Sequence, residues 1–596
     1  MSYGAAERFL RRGKQSTRPN NMPPLESELE EYSDVDIAIV CESTYPYLTG
    51  GLSAVVHQIC VANPDSSIGI IHISWDSDSP RENLYDVPPQ VAWVKSVFQS
   101  LEEHAATFKK FTPKAVGLPK AELADLTTRI FDAFTAHLDG SDDQLWQLYN
   151  DGINPLTRSF RLWPVISTRE FMVASVAYFA NSGLPFTSLF WSLREFFSLT
   201  YSVTDAVHPR AKVYHAHTTG AASILAAAAA RQHSAQFFLT EHNLYARDTI
   251  NHALGRSMDT VVKLEDWRTL DSYTVAGSVP YESTVTPNQR AWMAWWSRLG
   301  VIAYRAADHI TYLYPEAIEE ARGLGAPPEK SSVLPNGVTP EHFDESRNLF
   351  EARQRSAGES DDPRIWKLAY AARVVPIKGL TDLLEALALL VDQSIVNWEL
   401  DVMGPDAEMP VYAALCRSRC KELGLDGQVR FLGSVNLRER FGLYDALLLP
   451  SHNEGQPIVV LEAMTIGLPT IGTYVGGMKQ LVEDPLEVTT ENGTSVLVGA
   501  GGALVKSRDV QGLAIAISSL IQDDNAFDLF SRNSRIRADR YFHVDTAMEL
   551  YRNVYRRLID EGADHVAEVG PNGAVLFAEA MSTEAASSFE ELIHPR

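Results

Sequence analysis

The hydrophobic positions of this chain alternate between two patterns. Short continuous apolar runs of strand length are separated by longer stretches with the three-to-four spacing of a helix. The run "VDIAIVCES" (35–43) leads into the loop "TYPYLTGG". A helical stretch from Ser53, "SAVVHQICVA", and a second run, "IGIIHIS" (68–74), follow. Strand, glycine turn, helix and strand open a doubly wound α/β domain. From about 95 to 205 the pattern is helical and rich in aromatics, which predicts an insertion. The rhythm then returns: "AKVYHAHT", "AQFFLTEH", "DHITYLY" and "SSVLPNGV" read as strands, with "GAASILAAAAARQ" and "PEAIEEARGLG" as helices between them.

The charged segment "EARQRSAGESDDPR" (351–364) reads as a linker or surface loop, and beyond it the rhythm restarts. "WKLAYAARV", "NWELDVMG", "QVRFLGSV", "YDALLLPS" and "LPTIGTYVGG" are predicted strands. "LTDLLEALALLVDQ", "PVYAALCRSRCKELG" and "PIVVLEAMTI" are predicted helices. The pattern predicts two Rossmann-like, doubly wound domains facing a central cleft, over 34–338 and 339–562. A flexible tail is expected over 1–33 and a poorly ordered one over 563–596. The last helix, "TAMELYRNVYRRLIDE", is expected at the end of the second domain or crossing back to the first.

One helix holds a chemical anomaly. Between Ile458 and Met478 the only charged side chain is Glu462. Pro457 suits a first helical position and Gly467 a C-terminal cap, so this is a complete helix between two apolar strands, and it is buried. A buried carboxylate needs hydrogen-bond donors. A structural arginine or backbone group would serve, and so would a ligand with vicinal hydroxyls such as a ribose. Arg373, at the carboxyl end of a strand, and Lys378, just before a helix, add two cations. A lysine at a helix N-terminus opposes the macrodipole unless an anion lies between them. The helix starting at Pro457 offers free N–H groups to an anion as well. Together these groups suit a nucleoside diphosphate. In the first domain, Gly50 and Gly51 let backbone approach a ligand. Their pattern is neither G-x-G-x-x-G nor G-x-x-x-x-G-K-[ST], so neither NAD nor P-loop ATP binding is supported.

Composition narrows the function classes. The 596 residues include 52 basic and 76 acidic ones, a net charge of −24, which argues against nucleic acid as a partner. Cys41, Cys60, Cys416 and Cys420 form no C-x-x-C pair and read as small buried hydrophobes. The first residues have no apolar core of the signal-peptide kind, and the run "AASILAAAAA" is about half the ~20 residues a spanning helix needs. A cytoplasmic protein is expected.

The combination "TGGLS", "TEH", "LPNGV", "RVVPIKGL" and "EGQPIVVLE" with "GLPTIGTYVGG" resembles glycosyltransferase family 4, retaining enzymes of the GT-B fold that use sugar nucleotides. "CESTYPYLTGGLSAVVHQIC", "SDSPRENLYDVPPQV" and "TEHNLYARD" are similar to the PelF-like branch, which makes an exopolysaccharide from UDP-glucose. The resemblance spans about 35–555, and the chain departs from the branch at Ser43 and Asn243, where glycine is usual. It implies that Glu462 binds the ribose and that Glu454, eight residues earlier, faces the donor sugar. It implies that Arg373 and Lys378 clamp the diphosphate, with Gly51 near the phosphate and His242 near the sugar. Gly50, Gly455, Gln456 and Pro457 complete the expected donor-binding set, and the catalytic set is His242, Glu454, Arg373 and Lys378. Implied partners are a UDP-sugar donor, a glycan acceptor and membrane-bound polysaccharide export proteins, with a peripheral place at the inner membrane face. No cofactor and no metal are expected.

Other signals weigh less. Asp76-x-Asp78 in "WDSDSP" has the form of a manganese motif, but falls in an acidic chain without the companion pattern. His215 and His217 lack a third ligand, so packing or hydrogen bonding at a strand end is the better reading. The tryptophans of "RAWMAWWSRLG" fit core packing before sugar stacking, and "ERFLRRGK" is weak as a membrane contact. Two alternatives to a transferase share the same nucleotide clamp or fold: a UDP-sugar epimerase and a non-catalytic subunit of a polysaccharide assembly complex.

Overall fold

The computed structural model describes residues 32–563 except 259, 277–278, 360–362 and 490–493. Most of the expectations for the tails 1–33 and 563–596 lie outside these residues. Of the first, Tyr32 and Ser33 are described, and both pack on Trp93 through a ring contact and a hydrogen bond from the indole to the Ser33 carbonyl.

The first domain is built on a parallel seven-stranded sheet. Its elements are β1 (Val35–Glu42), α1 (Gly51–Ala62), β2 (Ile68–Ser74) and β3 (Val91–Phe98), then the insertion helices α2 (Lys120–Leu138), α3 (Arg169–Tyr178) and α4 (Phe186–Thr204). There follow β4 (Ala211–Ala216), α5 (Ala221–His233), β5 (Gln236–Glu241), α6 (Pro287–Ala306), β6 (His309–Tyr312) and β7 (Ser331–Val333). The strand order is β3-β2-β1-β4-β5-β6-β7. The order reverses between β1 and β4, so the loops leaving those strands open a crevice at their carboxyl ends.

The second domain contains α7 (Asp344–Glu359), β8 (Trp366–Ala371), α8 (Leu380–Asp392), β9 (Trp398–Met403), β10 (Val429–Gly433), β11 (Ala446–Leu449), α9 (Ile458–Ile466), β12 (Thr470–Thr473) and β13 (Gly502–Val505). Its parallel sheet runs β10-β9-β8-β11-β12-β13, with its own reversal between β8 and β11. Nearly every residue of β8, β11 and β12 is buried, as strands covered by helices on both faces must be.

Three expectations change. Residues 95–98 belong to β3, so the insertion begins after Phe98. The alternation in "VAWVKSVF" is that of an edge strand, and it was masked by the aromatics that follow. Residues 351–359 are the last turns of α7 and not a linker. Phe350 is buried against the core, while Arg353 joins Arg364, beyond the helix, on the buried Asp445. The charges that suggest a loop are that helix's outer face and its anchors. Finally, α9 begins at Ile458, with Pro457 as its cap, and ends at Gly467 in the left-handed region (φ 96°).

The last helix, α10 (Val544–Ala563), lies on the first domain. Its buried Met548, Tyr551, Tyr555 and Leu558 share a core cluster with Ile37, Ile39, Val55 and Ile59. The two chain crossings run side by side, with Val338 donating to the Phe542 carbonyl and Val544 donating to the Val338 carbonyl, both at 2.8 Å. Leu558 is fully buried in that cluster. Leu558→Ala is expected to cost ~2–5 kcal/mol, read as a lower denaturant midpoint, because it leaves a cavity under the first sheet. An unchanged midpoint would show that α10 adds nothing to the first domain.

Candidate functional site

In the second domain the site begins with a tight turn. Residues Pro376–Lys378 form one helical turn ending at Gly379, whose φ is 67°. A Cβ at Gly379 would lie 2.0 Å from the Pro450 carbonyl, so only glycine lets the turn rest on the loop after β11. The His452 amide donates to the Ile377 carbonyl at 2.7 Å and locks the two loops together. As a result Lys378 Nζ stands 2.6 Å from Glu454 Oε1, which also accepts from Ser451 Oγ at 2.6 Å. Glu454 is 7% exposed. Removing either partner of such a pair strands the other charge in a poorly solvated place, at a cost of roughly 3–5 kcal/mol.

Arg373 is placed differently. It follows β8, but its side chain is 52% exposed and grips Glu408 through both carboxylate oxygens, at 2.8 and 2.9 Å. Among the described residues no contact joins it to Lys378, so the expected pair of cations is not preassembled.

In the first domain, His217 and His242 each stand one residue beyond the ends of the neighbouring strands β4 and β5. Their rings meet, His217 Nδ1 to His242 Nε2, at 2.9 Å. Burial pushes His242 down to about 4 and His217 well below the usual imidazole range, so the pair is neutral near pH 7, one nitrogen donating and the other accepting. Beneath them His215 bonds Tyr555 Oη on α10 at 2.6 Å and Thr240 Oγ1 at 2.8 Å. This is hydrogen bonding at a strand end. Among the described residues no group of three or more His, Cys, Asp or Glu is placed to hold a metal ion. Asp76 Oδ1 accepts from the Asp78 amide and Ser79 Oγ within its own turn.

Two further acids sit at this end of the sheet. Glu241 Oε1 accepts from Thr219 Oγ1 and Tyr304 Oη, and burial pushes its carboxyl up to about 7. Glu42 Oε1 accepts from the Ala222 amide at the start of α5, at 2.6 Å, and burial raises it too. Sequence reading missed Glu42, Glu241 and the partnership of His217. Only the strand order makes His217 a neighbour of His242. Ser43, where the PelF-like pattern has glycine, takes φ 45°, the left-handed region that favours glycine.

The two halves meet at Gly455. A Cβ there would lie 2.1 Å from the His242 carbonyl oxygen, and the Gly477 amide donates to the Gly455 carbonyl at 2.6 Å from behind. Gln456 Oε1 accepts from the Asn336 amide at 2.6 Å and its Nε2 donates to Gln480 at 2.9 Å, so this side chain is engaged in joining the domains. Arg247 reaches across to Asn453 Oδ1 at 3.1 Å while holding Glu320 with Nη1. A Cβ at Gly51 would come within 3.5 Å of Ile458, so the first-domain glycine loop abuts the start of α9; Gly50 beside it is extended and borders open space. Contacts and chain adjacency thus bring His242, Lys378, Glu454, Gly455 and Gln456 together, with Gly51 against Ile458, which follows Pro457. Glu462 lies one turn along α9. Its carboxylate has no hydrogen-bond partner among the described residues. Burial pushes it up to about 7, opposed by the positive charge of Arg438.

Residues 35–329 match a family model described as a domain of unknown function, DUF3492. Residues 366–523 match the model "Glycosyl transferases group 1". Among curated relatives, the D-inositol 3-phosphate glycosyltransferase of Geodermatophilus obscurus is 30% identical over 223 residues, 35% of this chain and 45% of that protein. That of Saccharomonospora viridis is 27% identical over 318 residues, 52% of this chain and 66% of its own. The chain spans about half the length of the curated relatives it matches. Of solved structures, Anabaena HepE in complex with UDP superposes with a TM-score of 0.51 at 14% identity, covering 88% of this chain and all of that one. Sucrose-phosphate synthase from Thermosynechococcus elongatus gives 0.50 at 16% identity, covering 88% and 99%. The fold is GT-B. The interdomain contacts at Gly455 therefore line the cleft of a GT-B protein, and the reversal points of both sheets face it.

Two outcomes follow from this geometry. Gly455→Ala is expected to force the domains apart at His242 and to lower the melting temperature, because a methyl group 2.1 Å from a carbonyl cannot be accommodated without movement. For Glu462 the sign is the opposite. Its carboxyl titrates higher folded than unfolded, so folding takes up a proton and the empty protein loses stability as the pH rises from about 4.5 to about 7. Glu462→Gln removes that loss. At pH 8 its melting temperature should equal or exceed wild type, and the difference should vanish toward pH 4.5. A variant that melts well below wild type at pH 8 would make Glu462 a structural partner of Arg438.

Proposed function

We propose that this protein is a retaining glycosyltransferase that moves a hexose from a nucleotide sugar, with UDP-glucose as the donor, to a growing glycan in exopolysaccharide synthesis. Its place is the cytoplasm, peripheral to the inner membrane face, where export proteins would take the product. Among the described residues no helix is long and apolar enough to cross a membrane. The observation that carries the reading is the Lys378–Glu454 pair next to the contact of Gly455 with His242, together with Glu462, whose carboxylate has no hydrogen-bond partner among the described residues. The second-domain match to "Glycosyl transferases group 1", the glycosyltransferase names of its relatives and the UDP complex of HepE, a protein of the same fold, support it.

In this reading the ribose hydroxyls donate to Glu462 and relieve its missing partners. Lys378 faces the diphosphate, and the N-terminus of α9 adds its free amides. Arg373 leaves Glu408 and turns in. An exposed pair is worth only ~0–1 kcal/mol, so the exchange costs little. These groups stabilise the charge that grows on the leaving diphosphate. Glu454 is bound to Lys378 and Ser451, which leaves it poorly placed as a covalent nucleophile. The acceptor hydroxyl therefore attacks on the face from which the diphosphate leaves. The carbon–oxygen bond to the phosphate breaks as the new glycosidic bond forms, and the hydroxyl proton passes to a departing phosphate oxygen. Neutral His242 contributes a hydrogen bond to the sugar rather than a positive charge.

Arg373→Ala is the discriminating variant, because the side chain is exposed and supports no core. Turnover should fall ~100-fold, the scale of losing one charge-stabilising donor, with the melting temperature unchanged. Full activity would remove Arg373 from the clamp. A thermal-shift panel of UDP-, GDP- and ADP-sugars in excess EDTA tests the donor. UDP-glucose at 100 times its dissociation constant should add ~2.7 kcal/mol without a divalent ion. A shift with another nucleotide alone, or only after Mn²⁺ is restored, overturns the donor or the metal-free reading. UDP release matched by glycan extension, without free epimerised UDP-sugar, separates transfer from epimerisation.

A further inference from the structure

Away from the cleft, the insertion and α6 enclose a cavity of about 550 Å³. Phe131, Phe171, Leu193, Phe197, Ala294 and Trp295 are among its walls, and it shares no residue with the site above. A cavity this size and this apolar is of the kind that holds a small molecule. Its charged groups are unevenly placed. Asp142 is tied to Arg305 and His137, and Arg290 to the Trp267 and Leu270 carbonyls and Asp271. Arg298 and Arg268 have no such partners. Their guanidinium groups lie 5.0 and 4.6 Å from the ring of Trp267, and among the described residues neither has an ion pair or a hydrogen bond. Arg298 Nε is buried and unbonded, as is the indole N–H of Trp295. Arg268 is exposed, so this cationic end opens to solvent. On α3 and α4, which wall the cavity, Val173, Phe186, Phe190 and Trp191 are left exposed.

Arg298 is half-buried, and the ring of Trp267 attracts both guanidinium groups without neutralising them, so an anion placed there would meet two uncompensated positive charges. One end of the wall carries two guanidinium groups with no ion pair among the described residues, and the other end is hydrocarbon. We propose that the cavity binds a single-chain anionic amphiphile, a long-chain phosphate monoester. Its apolar chain lies among the insertion helices and its dianionic head sits between Arg268 and Arg298. Two cations match the two charges of a phosphate monoester, and guanidinium groups suit its oxygens. This assignment is independent of the donor chemistry in the cleft.

Trp163, Trp267 and Trp295 line the cavity, so the full-length protein reports its own occupancy by tryptophan fluorescence. Dodecyl phosphate below its micelle concentration should bind at least about tenfold tighter than dodecyl maltoside, and inorganic phosphate alone should not saturate the signal. Arg298→Gln should lower dodecyl phosphate affinity about tenfold or more while leaving the maltoside unchanged. The melting temperature should hold or rise, since an unpaired charge is removed. Ala291→Trp, which fills the cavity from α6, should lower affinity for both amphiphiles. Equal affinity for the two head groups, wild-type binding by Arg298→Gln, or saturation by inorganic phosphate alone each overturns the proposal.

Discussion

The site depends on one close approach, the backbone of Gly455 lying against the carbonyl oxygen of His242. A side chain at Gly455 would hold the two domains apart. Because glycine stands there, the loop after β11 reaches the loop after β5, and the carboxyl ends of both sheets converge. Gln456 with Asn336, and Arg247 with Asn453, fasten the same junction with hydrogen bonds on either side. The loops that carry the candidate site's polar groups are therefore held by one backbone contact and by side-chain hydrogen bonds across the junction.

The electrostatic character of the two faces differs. The second-domain face holds charge, with Lys378 neutralised by Glu454, Arg373 parked on Glu408 and Glu462 left short of donors. On the first-domain face burial leaves His217 and His242 neutral and raises the carboxyls of Glu42 and Glu241. A wall that carries Lys378, opposite a wall where the neutral His217–His242 pair offers hydrogen bonds, suits a ligand whose anionic end lies on one domain and whose hydroxyl-rich end lies toward the other.

The helix α10 ties these features to the fold. Tyr555, carried back from the second domain, bonds His215 directly beneath the His217–His242 pair, so the chain's return orients the first-domain face as well as covering its sheet. The insertion, by contrast, carries its own apolar cluster around Leu126, Ile130 and Phe171. It adds a cavity that the two sheets do not require.

Much of the architecture was legible in the sequence because buried parallel strands are continuous apolar runs and their helices have the complementary period. That is enough to read β1, β2, β8, β11 and α9, and to mark Glu462 as a carboxylate without an obvious partner. β3 and α7 were misread, because alternation under an aromatic-rich segment and charges on a helix's outer face imitate insertion and linker. Lys378 and Glu454 were both identified, but not their ion pair. That pair exists because Gly379 and Pro450 pack across β8 and β11, which lie side by side in the sheet though 76 residues separate the two side chains. Arg373 faces Glu408 and His217 pairs with His242 for the same kind of reason. Local sequence determines which residues stand at the ends of strands, and only the order of the strands decides which of those ends are neighbours.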